Sequence, residues 1–442
     1  MSRFFVVASV LGACASEAAA PSREQRVITA LAEDNYLAGL RDPELVALKL
    51  RKMQRGPYEW LRGTAAVYWH DVLDPGGERP TTDFLDVPSS HVLLLGDPHP
   101  ENIGTFRAAD GTMLIDWNDF DAAGYGPYTA DLRRLAAAML VATDNTDLPH
   151  FVAAGYVDEI GRLAAGLPPS SLAAPLLDKL VAKATEKGDR GEPLDEIAPI
   201  VDGARTLALG DLEPVADDGV IEERHLAVDP ETAALLEQAV AAWNHPELGS
   251  IALRARRVGA GISSYAALRY DVVLTGATPD PADDRVIEVK ETRDGVIVHG
   301  IPQYATPEWP SPAARAVDTQ RRLQLRRDAD ALLGSATFGG VSLKIRDRSA
   351  YQRGLDASDI ADESPDEQRD LAILFGGLLA RAHAGALTID GVRGLGVIAP
   401  LLAGREIDFA DEIATAATAD AEQIVADHAA FADRDLAALV LP

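Results

Sequence analysis

Strand-forming sequence is confined to one stretch of this chain, with helical sequence on both sides of it. After Pro246 the composition changes. Arg254 to Tyr270 carries a glycine cluster, followed by alternating Tyr265, Leu268, Tyr270, Val272 and Leu274. Arg285 to Glu291 then sets Val286, Glu288 and Lys290 against Ile287 and Val289, and Val341 to Ile345 adds a further strand. One long helix, about Val317 to Leu333, is predicted among them. Residues 43–72, 129–166 and 366–442 carry helical apolar spacing, with a break at Pro57-Tyr58-Glu59-Trp60-Leu61-Arg62-Gly63. Mostly helix, then mostly strand, then helix again implies an α+β fold.

Composition narrows the partners. At 442 residues with 47% hydrophobic content the chain can bury a large core. A formal net charge of -28, spread without an acidic tail, repels phosphate backbones and excludes nucleic acid as an expected partner. A nucleotide bound here needs local Lys, Arg, metal or backbone amides to offset that field.

The N-terminus has its own pattern. Arg3, an apolar run from Phe4 to Val10 and then Leu11-Gly12-Ala13-Cys14 resemble a bacterial lipoprotein signal with Cys14 as the lipidated residue. Ala18-Ala19-Ala20 would instead suit ordinary signal peptidase, although Pro21 follows directly, and a start codon set too early gives a merely apolar leader. The expectation is an exported protein held at the membrane through Cys14, or a cytoplasmic one if the signal is not used. Residues 15–40 look like a tether running into a first helix. Cys14 is the only cysteine, so neither an intramolecular disulfide nor a cysteine zinc site is possible.

Two short apolar strands, His91 to Leu95 and Met113 to Ile115, flank Gly96-Asp97-Pro98-His99-Pro100-Glu101-Asn102, and Asp116-Trp117-Asn118-Asp119-Phe120-Asp121 follows. Phosphoryl transfer needs a carboxylate to orient an attacking hydroxyl, oxygen ligands for Mg2+, a cation on the phosphates and a backbone cradle. Asp97 and Asn102 are spaced as the base and a metal ligand of a kinase catalytic loop. Asp116, closing a strand, stands where the main metal-binding aspartate belongs. Surface turns are the plain alternative for Gly-Asp-Pro and Asn-Asp. Later, Gly259-Ala260-Gly261 and Ser263 can present amides to phosphates, with Lys290 on the next strand to neutralise them. A tight turn and an exposed edge-strand lysine are the alternatives there.

The loop Gly96 to Asn102 with Ile115-Asp116-Trp117 resembles the signatures of aminoglycoside and choline kinase-type phosphotransferases. A wider set resembles a bacterial family, domain of unknown function 2252, over roughly residues 45–430. It comprises Tyr58 to Gly63, Asp116 to Asp121, Asp131-Leu132-Arg133-Arg134-Leu135, Val258 to Ser264, Val289-Lys290-Glu291 and Leu379-Ala380-Arg381-Ala382-His383-Ala384. The resemblance implies a two-lobed protein kinase-like fold, a helical lobe with a smaller antiparallel β lobe, in circularly permuted motif order. Its segments would be 1–20 for the signal, 21–248 for the catalytic-loop half, 249–350 for the β lobe and 351–442 for helices returning to the helical lobe.

By that resemblance Asp97 is the catalytic base, Asn102 and Asp116 are metal ligands, and Gly259, Gly261, Ser263 and Lys290 bind the nucleotide. Asp131 buttresses the catalytic loop, or is simply an N-cap. Asp119 and Asp121 hold a second metal or substrate, or form a solvated acidic turn. Arg62 reaches a phosphate or makes an ion pair, His99 is an accessory candidate, and His383 is a packing residue. Kinases pair the lysine with a glutamate on the following helix. Here that helix offers Asp318, Gln320 and Gln324 but no glutamate, which leaves Glu291 or Asp318 as substitutes.

The implied function is transfer of a phosphoryl group from Mg2+-bound ATP, or another nucleoside triphosphate, to a small-molecule acceptor. An inactive nucleotide-binding scaffold and a nucleotidyl transferase with its nucleotide reversed stay open. A metal-dependent phosphoesterase also opens with Gly-Asp-x-His, but needs further histidine clusters that the scattered histidines do not form.

Overall fold

The computed structural model describes residues 21–73, 82–189, 192–210, 219–243, 245, 249–299 and 309–441. Cys14 and the apolar leader lie outside the described residues. The fold is α+β, and among the described residues no helix is long and apolar enough to cross a membrane.

Arg23–Arg41 is a packed helix rather than a tether. Ser22 caps it reciprocally with Gln25, and Val27, Ala30 and Leu31 are buried along one face. Arg23 anchors its start by pairing with Asp71 at 2.7 Å and Asp427 at 2.5 Å. The predicted break at Pro57 is itself a short helix, Pro57–Gly63, because proline is tolerated at a first helical position.

One apolar core unites both helical stretches. It joins the strands Val92–Leu94 and Met113–Trp117 to the helices Tyr128–Thr143, Leu148–Ala164, Pro365–Gly385 and Glu406–Phe431. The expected single helical run over 129–166 is two helices, since Asp144 turns into the left-handed region (φ 55°) and caps the first. Leu148–Ala164 and Pro365–Gly385 cross at backbone contact. A methyl on Gly376 would overlap the Val152 carbonyl, so only glycine permits the crossing.

The strand-forming stretch is an antiparallel sheet in the order Gly334–Phe338, Val341–Asp347, Arg285–Glu291, Arg269–Leu274, Ile251–Val258, Arg224–Leu226. Strand alternation divides its faces. Tyr270, Val272, Leu274, Ile287, Val289, Leu343 and Ile345 pack with Leu236 of the helix Pro230–Trp243 and with Leu332. Arg269, Asp271, Glu288, Lys290, Lys344 and Arg346 fill the opposite face in register: Lys290 faces Arg269 and Lys344, and Glu288 faces Asp271 and Arg346.

The helix predicted over Val317 to Leu333 runs instead over Pro312–Leu323. Ser311 caps its start, and Gln324 leaves the helical region (ψ 148°) at its end. The carboxylate of Asp116 takes the Leu325 amide at 2.6 Å, and Gln324 donates to the Trp117 carbonyl at 2.9 Å. A distant strand therefore ends this helix, which no local spacing records.

Candidate functional site

The loop after Val92–Leu94 turns sharply at Gly96 (φ 85°), where a side chain would overlap the Ala122 carbonyl. Two residues one helical turn apart on Tyr128–Thr143 hold this loop, as i and i+3 positions share a face. Asp131 is not an N-cap: Pro127 occupies that position, and Asp131 is fully buried inside the helix. Its two oxygens accept from the amides of Leu95 at 2.8 Å and Gly96 at 3.1 Å. His383 is more than packing, because it joins Asp131 at 3.2 Å to the Tyr156 hydroxyl at 3.0 Å.

Arg134, buried under the loop, donates from Nε to Asp97 at 2.6 Å and from Nη2 to the Leu61 carbonyl at 3.0 Å. It was legible only as part of a motif, not as the orienter of Asp97. The Asp97 carboxyl keeps some exposure. Burial pushes its pKa up, Arg134 opposes that, and the charge of Asp119 adds to the rise. A carboxylate made more basic and fixed in direction suits proton acceptance. Asn102 donates to the Asp97 carbonyl at 2.9 Å, which commits its amide nitrogen and leaves the amide oxygen as its donor atom toward a cation.

The charged sheet face lies opposite this loop. Lys290 and Lys344 are direct cross-strand partners, and Asp121 sits between them, 2.5 Å from Lys290 and 3.4 Å from Lys344. Burial alone would raise the Asp121 pKa, but the two lysines outweigh it and hold the carboxyl well below the usual range. Asp119 adds a longer contact of 3.7 Å to Lys290. The lysine's partner acid is thus Asp121, not a helix residue. Glu291 is taken by Arg41 at 2.7 Å and Asp318 by Arg322 at 2.8 Å. From the helix Pro312–Leu323 the inward group is Arg315, which donates to the carbonyls of Asp121 and Ala123 and fixes that acidic turn.

A cleft of about 910 Å³ brings together Asp97, Asn102, Asp119, Asp121, Ser263 and Lys290. Other expected residues stand apart from this cleft. Asp116 is buried, with its oxygens on the amides of Trp117 (2.9 Å) and Leu325 (2.6 Å), and burial pushes its pKa up to about 7 in spite of those amides. Arg62 is in an ion pair with Glu101 at 2.5 Å. His99 is buried edge-on to Tyr58, and burial drives its pKa well below the usual histidine range, so it is neutral. Gly259 and Gly261 both adopt positive φ in the turn after Ile251–Val258, and Ser263 spends its hydroxyl on the Arg62 carbonyl at 2.7 Å. Lys344 was missed, since a charged row on a strand ordinarily marks a solvated face.

Among the described residues no three His, Cys, Asp or Glu side chains group as a metal site. Mg2+ typically takes one or two protein oxygens together with phosphate oxygens and water. Asn102 and Asp119 fit that pattern and Asp116, turned onto the backbone, does not.

The family described as an uncharacterized protein conserved in bacteria (DUF2252) matches residues 41–162 and 173–434. The chain belongs to that family. No curated protein and no solved structure matches it.

Proposed function

We propose that the chain is a kinase-like transferase that binds a nucleoside triphosphate with Mg2+ and passes a phosphorus group to a hydroxyl of a small-molecule acceptor. The observation that carries this is convergence: Asp97 and Asn102 share one cleft with Lys290, Asp119 and Asp121, although the loop and the lysine strand are far apart in sequence. Strand order supports it as well. A hairpin with a glycine turn precedes the lysine strand, the helices Val296–His299 and Pro312–Leu323 follow, and the strand Val341–Asp347 returns beside the lysine. An antiparallel sheet in this position supports reading it as a kinase-like β lobe placed after the catalytic loop in a permuted chain. Asp97 would accept the hydroxyl proton, Lys290 would neutralise phosphate, and Asn102 with Asp119 would supply oxygens to Mg2+ in place of Asp116. The small acceptor follows the resemblance alone.

The test is titration of the full chain with Mg2+-ATP by calorimetry, together with its turnover, beside Asp97→Asn. The expected variant binds ATP like the parent and loses about 100-fold or more in turnover, the usual range for a general base. No binding by folded parent protein would overturn the proposal.

A further inference from the structure

Beside the large cleft lies a second cavity of about 300 Å³, under the charged face of the sheet. The two share only Asp119, Ser264 and Lys290. Their walls differ in kind. The larger cleft offers Leu37, Trp69, Leu95, Ala122, Val296 and Ile297. The smaller is lined by Arg257, Arg269, Arg346, Arg348 and Arg353 with both lysines, against Asp119, Glu196 and Glu288. Acids in and behind the wall answer part of that charge, since Arg348 reaches Asp271 at 2.6 Å, and Arg346 and Arg257 both engage Glu288.

The compensation is incomplete. Arg257 and Arg269 are each more than nine-tenths buried, and their Nε donors, 3.9 Å from Asp271 and 3.6 Å from Glu288, have no hydrogen-bond partner among the described residues. Nε and Nη2 of the half-buried Arg353 also have no hydrogen-bond partner among the described residues. Burial lowers the Arg269 pKa, and repulsion from Arg257 and Arg346 lowers it further. Seven cationic side chains line this cavity against three carboxylates, and such an excess of cationic donors is what a polyanion satisfies. In a chain of net charge -28 this concentration of cations is not a general surface property.

We infer that a nucleoside triphosphate lies with its β- and γ-phosphates in the cationic cavity and its nucleoside in the apolar cleft, so that the site transfers a nucleotidyl group. The orientation rests on the transferase reading above. A base placed under the sheet would meet guanidinium groups instead of apolar walls, whereas the larger cleft supplies the apolar surface that ring systems need. A ligand spanning both cavities crosses at Lys290 and Asp119. Asp97 lines only the nucleoside side. The phosphorus at that crossing is the α-phosphorus. An acceptor oxygen bonds to it, the bond to the α,β-bridging oxygen breaks, and pyrophosphate leaves with the electron pair while the acceptor proton passes to Asp97.

The test uses the full chain with Mg2+. Photolabelling with 2-azido-ATP, competed by ATP, is mapped by peptide, and products of slow turnover are resolved as AMP with pyrophosphate or ADP with phosphate. Inorganic tripolyphosphate is titrated as a probe of the cationic cavity. The expected result is label in peptides containing 65–70 or 295–297, AMP with pyrophosphate as products, and at least tenfold weaker tripolyphosphate binding in Arg269→Gln. Arg353→Gln, whose Nε and Nη2 hold no partner to lose, gives the same comparison if Arg269→Gln fails to fold. Label within 346–354 with ADP and phosphate as products would overturn this orientation and leave the transferase standing. Tripolyphosphate binding unchanged in both variants would overturn it too. Absence of ATP-competed label in folded protein would sink both proposals.

Discussion

The two walls of the cleft are built on opposite principles. On the helical wall every charge near Asp97 is answered from within the protein: Asp131 takes two amides and His383, and Arg134 takes Asp97 and a carbonyl. On the sheet wall Lys290 faces Lys344 and Arg269 across the strands, and the Nε donors of buried Arg257 and Arg269 have no hydrogen-bond partner among the described residues. Groups that must stand in one direction before a ligand arrives belong on the first kind of wall, where pre-formed hydrogen bonds fix them. Groups that wait for a ligand's charge can be left unanswered, at a cost to the empty fold. On the proposed reading, the difference gives positioning to the helices and anion recognition to the strands.

The sharpest way to break this contrast is at Asp121. Asp121→Asn leaves Lys344 opposed to Lys290, with only the longer Asp119 contact to Lys290 remaining, and should cost about 3 kcal/mol in denaturant unfolding, as for one partner removed from a buried pair. Inorganic tripolyphosphate should restore much of that loss. Failure of the anion to restore it would mean the sheet wall is as self-contained as the helical one. Asp131→Ala orphans two amides and His383, for an expected loss of about 2 kcal/mol that tripolyphosphate does not recover.

Asp116 probes the junction between the walls. Its carboxyl is pushed up to about 7 in the folded chain, above its ordinary value of 3.8. Folding therefore retains a proton that the unfolded chain loses first. The contribution of Asp116 is fully present at low pH and is lost as pH rises from about 4 to about 7. Stability curves of parent and Asp116→Asn should diverge over that window with a slope of at most about 1.4 kcal/mol per pH unit. Parallel curves would show the carboxylate to be held ionised by its two amides.

Arg62 gives the smallest effect. As the partner of Glu101 in a half-buried pair, Arg62→Gln should cost about 1 kcal/mol and leave ATP affinity unchanged. A tenfold loss of affinity would bring Arg62 into the site.

Much of the architecture was legible because it is local. The alternation in Arg285 to Glu291 marks that strand to the residue, and Gly96 to Asn102 between two apolar runs marks the loop. The acids were the harder problem. Asp116, Asp119 and Asp121 sit within one short stretch, and motif position favoured Asp116. Its direction is decided by the Leu325 amide at the end of a helix far along the chain, and that of Asp121 by two lysines on the sheet. Charges at alternate positions of Val341–Asp347 gave no signal, because the same pattern describes a solvated strand.

By itself, then, the sequence determined the elements and the residue types available to them, since turn preferences, caps and strand alternation act over a few neighbours. The tertiary structure alone decided which acid faces the cleft, which acid the lysine pairs with and which charged face is covered. Those choices depend on hydrogen bonds and charges supplied by segments that meet only once the chain has folded.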